Sequence, residues 1–328
     1  MHPNHATNWN RENVYKDFGF DQFLSINDFQ GADTLRGMVT DQATYDKILE
    51  LLDQNADPQF IFDVTMQNHS GYDTGLLPAD KQMHLNIDTT DLDAKTVEDG
   101  TLSDVDEYVS CIEQSDQALR YFLNALNKLD RKVVVVFWGD HQPFFPSKFN
   151  DKWFTDEDDA THQERLWQTD YIIWANYDVA GCDQTSEVDD LSTNYLSTQL
   201  MQLIGAPLSD YQKAHMTLRE SLPAINSVGY EDASLRWALS SNVTGDDDAS
   251  RLPPSTRGLR QDAVLRDVPR RQERVYRALP DRGQRDRPQP GTGYNQDQIA
   301  TRLNWFVCPA ARNVRFPART VLLARRAH

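Results

Sequence analysis

The chain has 328 residues, 39% of them apolar, which is enough for one large core or two modest domains. Its formal charge of −17 argues against nucleic acid or an anionic membrane surface as partner of the chain as a whole. Cys111, Cys182 and Cys308 lie far apart with no C-x-x-C pair, which excludes a cysteine metal knuckle and a disulfide framework. No apolar run reaches the roughly 18 residues of a membrane span, and the opening MHPNHATNWNREN lacks the apolar stretch of a signal peptide.

The first segment to carry chemistry is His2-Pro3-Asn4 through Trp9-Asn10-Arg11. Arg offers planar, paired donors to a phosphate, and an adjacent Trp offers a ring face to a sugar or glycerol. The same dipeptide also reads as a surface Arg beside a half-buried Trp. Residues 41–54 place Tyr45, Ile48, Leu49 and Leu52 at helical spacing. After Pro58, the run Phe60, Ile61, Phe62 and Val64 predicts a short buried strand ending near Gln67. Asn68-His69 follows, so His69 is expected at the carboxyl edge of a sheet; a turn histidine before Ser70-Gly71 is the plainer reading.

Residues 104–129 predict the strongest helix, with Ser103 as its cap and Asp106 at its positive end. Its stripe runs through Tyr108, Val109, Ile112, Leu119, Phe122, Leu123 and Leu126. Lys132 opens KVVVVFWGDH, whose Val run predicts a central parallel strand buried on both faces. Gly139 allows a tight turn at the strand end, and Asp140-His141 would then project from the sheet edge. A carboxylate beside an imidazole suits a divalent ion such as Mn²⁺ or Zn²⁺, and equally suits a capped turn with a packed His. Residues 170–176 predict another buried strand. Residues 191–204 predict a helix that stops at Gly205, with Pro207 behind it. The alternation predicts an α/β fold, a mostly parallel central sheet with helices on both faces. Sites in such sheets form beyond the carboxyl ends of strands.

The composition breaks near residue 250. Residues 251–328 hold 17 Arg, no Lys and 6 Asp+Glu, whereas residues 1–250 carry a net charge of −28. The tail lacks periodicity and is rich in Pro, Gly, Arg and Gln, so it reads as disordered. A selected basic arm would mix Lys with Arg, so the composition favours out-of-frame translation of GC-rich DNA. Two segments are therefore expected: a catalytic-type domain over 1–250 and an Arg/Pro-rich tail over 251–328.

HPNHATNWNRENVYKDFGFDQF, FIFDVTMQNHSGYD and the helix ending in RKVVVVFWGDHQP, in this order, resemble lipoteichoic acid synthase-like phosphoglycerol transferases. These belong to the sulfatase and alkaline phosphatase superfamily. The resemblance covers about residues 1–235 and implies that superfamily's fold. It implies Asp140 and His141 as metal ligands, His69 as a substrate-binding His, and Trp9 and Arg11 as the pair holding a phosphoglycerol head group. His2 resembles the His that precedes that pair. The implied cofactor is a divalent metal, Mn²⁺ foremost, with Mg²⁺, Zn²⁺ or Ca²⁺ as alternatives. The implied partners are a phosphatidylglycerol-type lipid and an anionic envelope glycan or polymer, with an extracytoplasmic location.

The chain departs from the pattern at Thr169-Asp170, where the family usually has Thr-Pro. The family's nucleophilic Thr and metal-binding Glu lie upstream of the His-Pro-Asn segment, as do its membrane helices, and the chain begins at that segment. A truncated and inactive fragment without a catalytic nucleophile is the expectation, with membrane attachment only through the missing helices. Thr65, Ser70 and Thr74 are the fallback nucleophiles. Two other readings stand beside it: a sulfatase-like ester hydrolase using the same ligands, and a catalytically dead module that grips phosphate-bearing polymers.

Overall fold

The computed structural model describes residues 1–90, 92, 100–179 and 190–240. The tail and its boundary near residue 250, together with Cys182 and Cys308, lie outside the described residues. Two compact units divide the chain: Met1–Val133 with Phe145–Thr155, and Val134–Phe144 with the described residues from Asp156 onward.

In the first unit, helix α1 (Arg11–Asp17) follows a 3-10 turn at Asn8–Asn10. A small antiparallel hairpin joins β1 (Thr34–Leu35) to β2 (Met38–Val39), with Leu35 opposite Met38. Its two linking residues, Arg36 and Gly37, both have positive φ, at 55° and 79°. That is the signature of a type I′ turn, whose twist matches that of the strands it joins. Helix α2 (Asp41–Gln54) has the predicted bounds and is capped by Thr40, whose hydroxyl accepts from the Ala43 amide at 3.2 Å.

Helix α3 (Thr101–Leu126) starts and ends three residues before the predicted bounds. Ser103 is not its cap: Gly100 takes that place at φ 77°, and the Ser103 hydroxyl donates back to the Gly100 carbonyl. Asp106 binds the loop before the helix instead, accepting from the Leu85 amide at 2.9 Å. Helices α2 and α3 pack through Tyr45 stacked on Phe122, centroids 4.6 Å apart. The stripe of α3 is buried as expected at Tyr108, Val109, Leu119, Phe122, Leu123 and Leu126, while Ile112 is half-buried. A short helix α4 (Ser147–Asn150) completes this unit.

Residues 60–66 form neither helix nor sheet strand, and a turn begins at Gln67. Met1 pairs with them in a parallel pattern: its amine donates to the Phe62 carbonyl and its carbonyl accepts from the Val64 amide at 3.1 Å. Two bonds make too short a ladder for a sheet strand. Phe60, expected to be buried, is 75% exposed, and burial develops only toward Met66 and Gln67.

In the second unit, β3 (Val134–Trp138) pairs with β4 (Tyr171–Ala175) in antiparallel register, Val134 opposite Ala175 and Trp138 opposite Tyr171. The α/β class holds, but the named strand pairs among the described residues are antiparallel. The Val run is half-buried along its length rather than buried on both faces. An apolar β-branched run reports that a strand has covered surface; the direction of its neighbour is decided by the path of the connection.

Helix α5 (Asp159–Arg165) lies in the β3–β4 connection. Helix α6 (Thr193–Leu203) covers β3 and β4, burying Tyr171, Ile173, Leu191, Tyr195 and Leu196 against Val134, Val136 and Trp138. It ends as predicted at Gly205, φ 70°. Gly205 and Ala206 donate to the Gln202 and Met201 carbonyls, a Schellman closure. Helix α7 (Asp210–Arg219) and the hairpin of β5 (Gly229–Glu231) with β6 (Trp237–Leu239) follow.

Candidate functional site

Four residues singled out by sequence gather in the first unit. Trp9 and Asn10 sit in succession in the left-handed region, at φ 52° and 55°. Such backbone is uncommon outside glycine and is maintained only where the surroundings enforce it. It places the half-exposed Trp9 ring among three partners. The His2 ring meets it edge-on at 5.5 Å, the His69 ring lies 6.3 Å away, and the Arg11 guanidinium sits 5.0 Å from its centroid. Arg11 also donates to the Tyr15 hydroxyl at 2.7 Å, which fixes the guanidinium from the helix side.

The two histidines differ. His2 is fully buried, with Nδ1 3.1 Å from the Val64 carbonyl. Burial pushes its pKa down to about 4, so the ring is neutral at pH 7. With a carbonyl as partner, Nδ1 carries the proton and Nε2 is left as a bare acceptor. His69 is exposed, and its Nδ1 lies 2.8 Å from the Ser70 carbonyl. The group therefore combines one fixed cation, one exposed imidazole and an aromatic face, a set suited to an anion bearing a short polyol.

Sequence reasoning missed the polar core of this unit. Asp41 is buried at the start of α2, where its carboxylate accepts from the Ser115 hydroxyl and its amide donates to Gln67 Oε1 at 3.2 Å. Burial pushes the carboxyls of Asp41 and Asp63 up to about 6. Gln67 also donates to Ser115 at 3.0 Å and to the Cys111 carbonyl at 3.3 Å, and Asn68 donates to Ser115 at 2.8 Å. A buried Arg36 and its partner Glu107 complete this core. An Arg-Gly pair in a two-residue hairpin, where Asn-Gly is the usual choice, was the one available sequence signal.

In the second unit, Asp140 and His141 follow β3 as predicted. Gly139 donates to the Asp170 carbonyl at 3.1 Å, one step beyond the β3–β4 register. Asp140 Oδ2 and His141 Nε2 stand 3.2 Å apart. The turn is held by the buried Gln142, which donates to the Arg165 and Gln168 carbonyls at 2.8 and 2.6 Å. Arg165 is in turn paired with Glu157 at 2.7 Å. Oxygen and imidazole donors suit a divalent ion in kind. They do not suit it in number: among the described residues no group of three or more His, Cys, Asp or Glu side chains is placed to hold a metal. A catalytic divalent site takes about three ligands from the protein.

The chain belongs to the Sulfatase family, whose profile matches residues 1–206. It is 28% identical over 151 residues to the capsular polysaccharide biosynthesis protein RkpI of Rhizobium meliloti, covering 45% of this chain and 24% of that protein. It is 29% identical over 150 residues to the lipoteichoic acid synthase-like YvgJ of Bacillus subtilis, covering 43% of this chain and 21% of that protein. The fold is similar to that of the Streptococcus pyogenes phosphoglycerol transferase GacH, solved with sn-glycerol-1-phosphate. The TM-score is 0.52 and the identity 24%, over 67% of this chain and 53% of that one. The chain thus spans about a quarter of the length of these two curated relatives. No helix among the described residues is long and apolar enough to cross a membrane.

Proposed function

We propose that the chain is part of a phosphoglycerol transferase or phosphodiesterase of the cell envelope, with Trp9, Arg11 and His69 gripping a glycerol phosphate head group. The observation that carries this is the Trp9 ring lying between Arg11 and two imidazoles. Arg11 supplies the charge that holds the phosphoryl oxygens. The face of Trp9 covers the glycerol carbons, and the exposed His69 ring contacts a phosphoryl oxygen. His2, buried and neutral, acts through Trp9 by holding its ring. The donor in this reading is a phosphatidylglycerol-type lipid and the acceptor an envelope glycan or polymer, outside the cytoplasm. Asp140 and His141 are the pair for a divalent ion, Mn²⁺ foremost. Among the described residues these are two donors, which hold such an ion weakly, so phosphoglycerol turnover by the chain should be slight.

The test is titration of the isotopically labelled chain with sn-glycerol-1-phosphate, inorganic sulfate and a chromogenic sulfate ester, read by amide and indole chemical shifts. Glycerol phosphate should move the Trp9 indole signal, and Arg11→Ala should weaken binding about tenfold, the loss of one charge-assisted contact. Preference for the sulfate ester, or equal binding by Arg11→Ala, overturns the assignment.

A further inference from the structure

Arg36 occupies a position that its residue type disfavours. It is the first central residue of the type I′ turn between β1 and β2, at φ 55°. Asn, Asp or Gly normally fills that place, because a longer side chain crowds the left-handed backbone. Its side chain is nonetheless fully buried rather than pointing into water. Burying a guanidinium is costly unless its donors are engaged.

They are engaged on one loop. Nη1 donates to the carbonyls of Gln67 and His69, each at 3.3 Å. Nη2 donates to the His69 carbonyl at 3.4 Å and to the Gly71 carbonyl. Nη1 also reaches Cys111 Sγ at 3.5 Å, and the guanidinium carbon lies 5.1 Å from the centroid of the Tyr72 ring. Nε stands 2.5 Å from Glu107 Oε1 as an ion pair, off hydrogen-bond alignment. Glu107 carries the same tie further: its two carboxylate oxygens accept from the Thr74 amide and hydroxyl, both at 2.8 Å. Tyr72 closes the loop on itself by donating to the Asn68 carbonyl at 2.8 Å.

We propose that Arg36 is the positioning residue for His69: its guanidinium gathers the alternate carbonyls of Gln67, His69 and Gly71 and fixes the loop that presents the His69 ring toward Trp9. This rests on the reading of His69 as a phosphate-binding residue. A planar fork can span several carbonyls at once, whereas a lysine ammonium is a single point of attachment. The strained turn explains the choice of residue: the left-handed backbone aims the side chain inward, and a turn-favoured Asn would leave the loop untied.

The test separates the hairpin from the clamp. Arg36→Asn combined with Glu107→Gln keeps a residue favoured in the turn and leaves no unpaired buried carboxylate. Arg36→Lys keeps the charge and is the second variant should the double one fail to fold. Native-state hydrogen exchange on the full chain is the first readout. The His69 amide, bonded to the Met66 carbonyl at 3.0 Å, should exchange at least tenfold faster in either variant, while the amides of α2 keep their parent rates. A purely global loss of stability would accelerate both alike, and that result, or an unchanged His69 rate, overturns the proposal. The second readout is sn-glycerol-1-phosphate binding, expected to weaken about fivefold or more in both variants, with His69→Gln as control. If His69→Gln binds like the parent, the phosphate-binding reading fails, and the exchange result alone decides on the clamp. If His69→Gln weakens binding and the Arg36 variants do not, the positioning role is refuted.

Discussion

Replacing Asp41 by Asn should stabilise the chain, and only above mildly acidic pH. Asp41 is 2% exposed, and burial pushes its carboxyl from 3.8 up to about 6 against the favourable bonds from Ser115 and Thr65. The folded state therefore holds a proton more tightly than the unfolded state. The stability this confers is fully present below the unfolded value and is lost as pH rises through the folded one. A shift of about 2 units corresponds to about 3 kcal/mol, at 1.36 kcal/mol per unit. Asn mimics the protonated carboxyl, keeps an oxygen for the Ser115 hydroxyl, and never ionises. Its advantage over Asp should be near zero at pH 4, grow between pH 4 and 6, and level off at about 3 kcal/mol by pH 8. Urea unfolding followed by circular dichroism at each pH measures it. The difference between parent and variant cancels the titration of His2 and reports Asp41 together with its repulsion from Asp63, whose charge also raises the Asp41 carboxyl. His2, held down at about 4, has the opposite slope, so the parent's own profile is a mixture. A pH-independent difference, or destabilisation of equal size at pH 4 and pH 8, would refute the claim that desolvation dominates at Asp41.

Gly205→Ala should cost about 1 kcal/mol, because the residue closes α6 at φ 70° while a Cβ there would meet no atom within 4 Å. A larger loss in thermal melts would point to packing rather than backbone conformation. Mn²⁺ added to the full chain should bind weakly, and His141→Ala or Asp140→Asn should abolish that binding as read by water proton relaxation; undiminished binding by both variants would place the ion elsewhere.

Local pattern in the sequence determined much of the scaffold. The helix 41–54, the stripe of 104–129 and the Gly205 stop needed only spacing and backbone chemistry, since those signals act within a few residues. The same holds for the Asp140-His141 turn, because a Val run ending in Gly states where a strand stops. Tertiary structure alone decided the rest. Nothing local says that β4 returns antiparallel to β3, that Phe60 stays exposed, or that Ser103 lies inside its helix. Ladder direction and burial depend on which distant segment arrives as neighbour. The gathering of His2, Trp9, Arg11 and His69 needed residues tens of positions apart to share one face. The burial of Arg36 is the clearest case. By composition it is one more surface arginine, and only the fold of its hairpin turns it inward onto the carbonyls of the His69 loop, where a low-dielectric setting makes each of those bonds matter.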